Sequence, residues 1–172
     1  KVDGRVSIFL EPIALYMTKD LHEAGDGQWL TAYPAQDEAM VLGEGRIYDE
    51  SADDLVIFTY GNGVPMSLRA ARSIEAKRGW KVRVVDLRWL VPLNEAFIAE
   101  QAKSAKRILI VDEGRHSAGV GEGVITAIAE AGFGGRPFQR VVGVDTYTPL
   151  AGAALLVLPG DDDIVVAADR LA

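Results

Sequence analysis

The second half of the chain repeats one pattern, in which an apolar run of strand length is followed by a segment suited to a helix. The apolar runs are Leu55–Tyr60, Lys81–Asp86, Arg107–Val111 and Gln139–Val144. Parallel strands need a crossover connection of a dozen or more residues, usually a helix, and the spacing of the runs leaves room for one. The pattern therefore predicts an α/β fold, a Rossmann-like and mostly parallel sheet in chain order with helices on both faces.

The helical segments carry residues that favour helix termini. Helices are predicted over residues 65–78, 94–105 and 123–131, with shorter helical pieces over 151–158 and 163–171. Gly79 directly follows the first of them, and glycine commonly ends a helix in the left-handed conformation. The acidic residues 161–163 suit a helix start, where negative charge meets the positive end of the helix dipole.

The first fifty residues lack this regularity. Val6–Leu10 is apolar and bounded by charge, which predicts a buried strand that ends at Glu11 and Pro12. Residues 18–51 contain scattered glycine, proline and acidic residues without periodicity, which is typical of a linker. A strand that lies apart from the main sheet exposes an apolar face, and we therefore expect the chain to self-associate.

Composition excludes several classes of function. The formal net charge is −7 and the basic residues do not cluster, so nucleic acid is not an expected partner. The chain has no cysteine, which excludes disulfides, thiolate metal sites and thiol nucleophiles. No apolar run reaches the roughly 18 residues of a membrane span. The chain begins without Met or a signal-peptide pattern, and we expect it to be a piece of a longer protein.

The glycines at 119, 121 and 123 are a candidate for a phosphate cradle. They fail the dinucleotide fingerprint, because Val124 stands where a third glycine belongs and the preceding loop is too long. Asp112 and Glu113 at the strand tip would also repel a phosphate. We therefore expect these glycines to let a helix start pack closely on neighbouring backbone.

Four other groups of residues are also candidates for a site. Gly61–Gly63 follows the first strand of the sheet but is an equally incomplete fingerprint. Gly25–Gly27 is similar to the start of a diphosphate-metal motif, yet it lacks a preceding strand and a nearby downstream asparagine, and we reject it as a cofactor site. His116 could donate a proton from a loop after a strand, although a lone loop histidine is more often surface. Glu11 could be a buried carboxylate without a catalytic partner or a hydrogen-bonded strand-end residue, and we favour the latter.

The order of the motifs resembles a known family. The chain is similar to the β-subunit half of the E1 component of 2-oxoacid dehydrogenases, of the branched-chain or pyruvate type. The resemblance covers nearly the whole chain and is carried by "IFLEPIALY" (8–16), "LVIFTYGNGV" (55–64), "VRVVDLRWLVPLN" (82–94), "RILIVDEGRHSAGVGEGV" (107–124) and "VGVDTYTPLA" (142–151).

This resemblance implies a domain organisation and a place for the cofactor. Residues 1–17 would be the end of a pyrimidine-binding domain, 18–51 a linker and 52–172 a transketolase C-terminal domain. Thiamine diphosphate and Mg²⁺ would belong to the full assembly, because the activating glutamate of the family lies upstream of Lys1 and the partner half holds the diphosphate. Neither cofactor nor catalytic residues are expected in this chain. A monovalent cation, held by backbone carbonyls, would lie at Asp3 and Arg5.

The resemblance also implies partners. These are an E1 α-type chain or domain and a second β-type chain. Members that dock on the acyltransferase subunit E2 often carry an acid where this chain has Gly135, which argues against docking through that contact. The expected location is the bacterial cytoplasm, or the mitochondrial matrix if the source is eukaryotic.

Three functions follow from these observations. The first is the C-terminal, assembly portion of an E1 enzyme that decarboxylates a 2-oxoacid and passes the acyl group to lipoamide. The second is a free-standing dimerisation or binding module without catalysis. The third is another transketolase-like enzyme, such as deoxyxylulose phosphate synthase or transketolase itself. In each case we expect this chain alone to be inactive as an E1 enzyme.

Overall fold

Alternating strands and helices form most of the structure from residue 46 onward. The computed structural model describes residues 4, 6–38 and 40–172. The strands and longer helices are β1 (Arg46–Tyr48), β2 (Leu55–Thr59), α1 (Gly63–Arg78), β3 (Val82–Asp86), α2 (Glu95–Lys103), β4 (Ile108–Arg115), α3 (Val120–Ile128), β5 (Phe138–Gly143) and α4 (Asp161–Asp169). Three short 3₁₀ helices and a π-helical turn complete the described elements, at Ile13–Leu15, Gln36–Glu38, Ala151–Leu156 and Ala129–Phe133.

The five strands form one mixed sheet in the order β1-β3-β2-β4-β5. Strands β2 to β5 are parallel, and β1 pairs antiparallel with β3, Arg46 lying opposite Asp86. The predicted fold class is therefore confirmed. The prediction that the strands follow chain order is wrong, because β2 lies at the centre, with β3 on one side of it and β4 and β5 on the other. Crossovers of one hand place helices on both faces only if the strand order reverses in this way.

The two faces of the sheet are covered by different helix pairs. Helices α1 and α4 cover one face, where Ile74 and Ile164 are almost completely buried against Leu55, Ile57 and neighbouring residues. Helices α2 and α3 cover the other face and contribute Ile98, Ala102, Val124, Ala127 and Ile128. All five residues of β2 are buried, which accounts for their continuous apolar pattern.

Helices α1 and α4 are also joined by ion pairs. Arg69 donates from Nε and Nη2 to Asp161 at 2.5 and 2.9 Å. Near the other end, Asp169 accepts from Lys77 at 2.5 Å and from Arg78 at 2.7 Å. Helix α1 ends as predicted at Gly79, whose φ of 68° is left-handed.

The N-terminal region differs from its prediction. Residues 6–10 form no strand, and Val6, Ile8 and Phe9 are each more than four-fifths exposed. This isolated apolar run has no neighbouring strand to pair with among the described residues, so its apolar character alone does not make it a strand. Glu11 is exposed and accepts a hydrogen bond from the Tyr16 hydroxyl, which contradicts the possibility that it is buried and the expectation that it ends a strand.

The segment predicted as a linker contains ordered structure. Strand β1 lies within it and extends the sheet at one edge. A loop over residues 20–28 is held by two carboxylates, which accept hydrogen bonds from six backbone N–H groups. Asp26 accepts from Leu21, His22, Glu23 and Gln28, and Asp20 accepts from Gly25 and Gly27. These bonds hold the pKa of Asp26 below its ordinary value. Among the described residues, no helix has the length and apolar character required to cross a membrane.

Candidate functional site at the carboxyl end of the sheet

The fold points to the crevice between the carboxyl ends of β2 and β4. Strand order reverses at this point, because β2 connects through α1 to β3 on one side while β4 lies on the other. In open α/β sheets, ligands bind in the crevice at such a switch point. We call this place the switch-point crevice, lined by Tyr60 and Asn62 after β2 and by Asp112 and Glu113 on β4.

The Asp112 carboxylate fills the centre of the crevice. Asp112 is only 1% exposed to solvent. Oδ1 accepts from the Tyr60 hydroxyl at 2.7 Å and from the Gly114 N–H at 2.8 Å, and Oδ2 accepts from the Gly121 N–H at 2.9 Å. Gly121 lies in the first turn of α3, where N–H groups have no partner within the helix. An anionic oxygen of the chain itself thus lies where this fold offers donors to a ligand.

The carboxylate also changes the neighbouring phenol. Burial, together with the hydrogen bond to Asp112, raises the pKa of Tyr60 above its ordinary value, so the hydroxyl remains a donor at physiological pH. Sequence reasoning did not find this pair, because 52 positions separate the two residues. The sequence signal that could have indicated the pair is Asp112 itself, an acidic residue directly after the buried apolar residues of β4. A buried carboxylate needs several hydrogen-bond donors.

The three glycines of the α3 start are explained by close packing. A Cβ at Gly119 would lie 2.6 Å from Asp112 Oδ2, and one at Gly123 would lie 2.8 Å from Leu93 Cδ1. A Cβ at Gly121 would lie 3.4 Å from the same carboxylate oxygen. The atoms that these Cβ positions would meet belong mainly to side chains, whereas the sequence analysis expected the glycines to pack on neighbouring backbone. The glycines therefore make room for the carboxylate and for the Leu93 side chain, which lies just before α2.

A second bridge crosses the crevice beside the first. Asn62 donates from Nδ2 to Glu113 Oε2 at 2.8 Å. Two further polar atoms, Asn62 Oδ1 and Thr59 Oγ1, are buried without a hydrogen-bond partner among the described residues. The Gly61–Gly63 turn is therefore tied to the end of β4 by side chains, and Asn62 contributes to this closure.

His116 lies in a charged cluster beyond the end of β4. The Arg140 guanidinium lies 3.1 Å from His116 Nε2 and 3.7 Å from a Glu122 oxygen. The Ser117 hydroxyl and N–H both donate to Asp145, which lowers the pKa of that carboxyl below its ordinary value. His116 thus contacts a guanidinium on the exposed surface, and its proposed proton donation remains untested.

The other predicted sites lie away from this crevice. Asp3 and Arg5, the expected cation ligands, fall outside the described residues. Gly25 and Gly27 have left-handed φ values of 86° and 60° in the loop ordered by Asp20 and Asp26. In the part of the chain that the structure describes, no three His, Asp or Glu residues come together to hold a metal.

Exposed apolar side chains occur in the connections that follow β3 and β5, which leave the sheet at its carboxyl end. Pro12 reaches this end, since a Cβ at Gly61 would lie 3.5 Å from its Cγ. We call the following set the carboxyl-end surface, and each member is more than four-fifths exposed: Val91, Tyr147, Leu150, Leu155 and Leu156. Single exposed apolar residues are ordinary, but several at one end of a domain indicate an interaction surface.

Comparison with protein families identifies the fold and its relatives. Residues 43–162 match the model of the transketolase C-terminal domain. The chain belongs to this family. The family match confirms the transketolase C-terminal domain that the motifs indicated, and it covers strands β1 to β5 of this chain.

Curated relatives include subunits of 2-oxoacid dehydrogenases. The pyruvate dehydrogenase E1 component subunit beta of Staphylococcus aureus is 31% identical over 134 residues, which are 77% of this chain and 41% of the relative. The 3-methyl-2-oxobutanoate dehydrogenase subunit beta of Mycobacterium tuberculosis is 35% identical over 123 residues, 70% of this chain and 35% of the relative. The chain thus spans well under half the length of these relatives.

Solved structures agree on the fold. A split-gene transketolase, described as an inactive beta4 tetramer, has a TM-score of 0.67 at 24% identity and covers 83% of this chain and 45% of its own. A 2-oxoglutarate:ferredoxin oxidoreductase from Magnetococcus marinus has a TM-score of 0.52 at 13% identity, covering 74% of this chain and 19% of its own. At these identities the likeness shows the fold alone.

Proposed function

We propose that this chain is the C-terminal, assembly portion of a thiamine-diphosphate-dependent E1 component. The whole protein would decarboxylate a 2-oxoacid and pass the acyl group to lipoamide. One contrast carries the proposal: the switch-point crevice is filled by Asp112, whereas the carboxyl-end surface exposes five large apolar side chains. The domain is better suited to contact another protein surface than to bind a small molecule.

The cofactor belongs to the complete assembly in this proposal. Thiamine diphosphate and Mg²⁺ would be bound by the pyrimidine-binding domain and by the E1 α-type partner, and this chain would supply no catalytic residue. The motif order and the two β-subunit relatives support this assignment. Residues 1–17 would complete the pyrimidine-binding domain, 18–51 would connect it, and 52–172 would form the transketolase C-terminal domain.

The exposure of residues 6–10 supports this division. Val6, Ile8 and Phe9 would become buried when the rest of a pyrimidine-binding domain provides a sheet for them. In the same assembly, backbone carbonyls of Asp3 and Arg5 would hold a monovalent cation. The partners would be an E1 α-type chain and a second β-type chain, in the cytoplasm if the source is bacterial. Docking on E2 through the Gly135 region is not part of the proposal.

Calorimetry tests whether the cofactor site lies outside this chain. The chain alone, titrated with thiamine diphosphate and Mg²⁺, should release no saturable heat of binding. The same titration on the full-length β-type chain mixed with its α-type partner should show saturable binding. That mixture should also decarboxylate a 2-oxoacid when one is added in a separate assay. Saturable micromolar binding by the chain alone would show that a cofactor site lies within it. A full assembly without binding would favour the free-standing module instead.

A further inference from the structure

The closure of the switch-point crevice has an unusual chemical basis. Two side-chain bridges cross it, from Tyr60 to Asp112 at 2.7 Å and from Asn62 to Glu113 at 2.8 Å. Both bridges join the turn after β2 to the end of β4, which are the two elements that part around a ligand in folds of this topology.

Asp112 is surrounded as a bound anion would be. None of the ion pairs found among the described residues includes it, so three hydrogen-bond donors rather than a neighbouring cation compensate its charge. Glycine lines the carboxylate, since a Cβ at Gly114 or Gly119 would lie 2.8 or 2.6 Å from its oxygens. Backbone donors in a glycine-lined concavity form the usual anion-binding arrangement of proteins.

Two buried polar atoms on residues 59 and 62 have no hydrogen-bond partner among the described residues. Thr59, at the end of β2, is 1% exposed, and its Oγ1 has no hydrogen-bond partner among the described residues. Asn62 Oδ1, at the start of α1, is buried and equally unpaired. These atoms are not used by the Asp112 network. Asn62 Oδ1 is thus a further buried acceptor on a residue that bridges the crevice, whereas Thr59 Oγ1 lies against the start of α1, where a Cβ at Gly63 would meet it.

We propose that Asp112 is an internal ligand, a carboxylate that occupies the anion position of the switch-point crevice and holds it shut against external anions. The inference shares with the proposed function the observation that Asp112 fills the crevice, but its test concerns only residues within this domain and does not depend on thiamine diphosphate or on a partner chain. Removal of the side chain leaves the Tyr60 hydroxyl and the N–H groups of Gly114 and Gly121 pointing at a space the size of a small carboxylate. Formate has the shape and charge that this space accepts.

Thermal unfolding of Asp112→Ala in sodium formate, compared with sodium chloride at equal ionic strength, tests the proposal. The melting temperature of the variant should rise saturably, by about 3–6 °C at a formate concentration of about ten times Kd. Wild-type protein and Asp112→Asn should show no formate-specific rise, because their crevice remains filled. Inorganic phosphate should give the wild type only the gradual, non-saturating rise in melting temperature that a surface-excluded salt gives to folded proteins in general, because the closed crevice admits no anion.

A cavity control separates anion binding from general salt effects. Val124→Ala removes buried apolar atoms from the start of α3 without exposing hydrogen-bond donors. An equal formate response in Asp112→Ala and Val124→Ala would overturn the proposal, and so would a saturable phosphate-induced rise in the melting temperature of the wild type. If Asp112→Ala does not fold in chloride, its refolding yield decides: recovery in formate supports the internal ligand, and equal yields in both salts reject it.

Discussion

At the scale of single residues, the glycines at the start of α3 show how a sequence motif can suggest the wrong ligand. Their spacing is similar to that of a phosphate cradle, but the anion beside Gly119 and Gly121 is the carboxylate of Asp112. Glycine is required here because the carboxylate and the helix start approach too closely for a Cβ. These glycines therefore stabilise the fold, and their substitution should lower the free energy of unfolding even when no ligand is present.

Replacement of Gly121 by Val tests this view. A Cβ there would lie 3.0 Å from Ile110 Cγ2, and the additional methyl groups of Val would crowd the Asp112 carboxylate further. We expect a loss of about 1–3 kcal/mol in the free energy of unfolding, measured by urea denaturation. NAD and ATP should leave the melting curve of the unmodified chain unchanged. A nucleotide-dependent stabilisation that the substitution abolishes would instead establish a phosphate site.

Replacement of Tyr60 by Phe tests the bridge from the other side. The substitution removes the hydroxyl that donates to Asp112 Oδ1 while keeping the ring, and Oδ1 retains only the Gly114 N–H. We expect destabilisation by about 1–3 kcal/mol, because the buried acceptor loses a partner. Tyr147→Phe is a suitable control, since that ring is 93% exposed. Equal effects of the two substitutions would contradict the role of the bridge.

At the scale of elements, the packing of α4 on α1 decides how firmly the C-terminal helix is held. Ile164 lies in the core shared by the two helices and is fully buried, whereas Val166 on the same helix is 48% exposed. We expect Ile164→Ala to cost about 2–5 kcal/mol of unfolding free energy. Val166→Ala should cost about 1 kcal/mol or less. Similar losses at the two positions would mean that α4 is not packed as described.

The ion pairs between the same helices predict a pH dependence. Hydrogen bonds from Lys77 and Arg78 lower the pKa of Asp169 below its ordinary value. A lowered pKa means that the folded state favours the ionised form. The resulting stability is present above the ordinary Asp pKa of about 3.9, and it is lost as the pH falls through the lower value of the folded state.

Asp169→Asn should therefore reduce stability at neutral pH and flatten its decline below about pH 4. Urea denaturation of the variant and the wild type from pH 7 to pH 2 measures the difference between them. Other carboxyls with lowered pKa values, such as Asp54 and Asp145, contribute equally to both proteins and cancel in the comparison. Parallel curves for the two proteins would show that the ion pairs do not contribute.

At the scale of the whole molecule, the carboxyl-end surface should mediate association. Leu150 is 91% exposed there, and a buried charge at an interface is strongly unfavourable. We expect the wild type to self-associate. The dissociation constant of self-association, measured by sedimentation equilibrium, should be higher for Leu150→Asp than for the wild type, on the order of tenfold. Ser73→Asp adds the same charge to α1 as a control. A wild type that stays monomeric at high concentration would contradict the surface's role.

Much of the fold could be predicted because its signals are local. The apolar runs of β2 to β5 and the end of α1 at Gly79 were found with small errors at their boundaries. Residues 6–10 carry the same local signal but form no strand, and β1 was missed within a segment without periodicity. A strand exists only where a neighbour accepts its hydrogen bonds, and β1 has β3 as that neighbour.

The amino-acid sequence by itself determined the α/β class, the family and the absence of a complete phosphate fingerprint, since these depend on periodicity, motif order and spacing along the chain. Only the tertiary structure decided that β2 is central and that Asp112 meets Tyr60 and Gly121. Strand order depends on how helices distribute over two faces to bury apolar area, which no single segment encodes. The contacts of the crevice follow from that order, because it places the ends of β2 and β4 side by side.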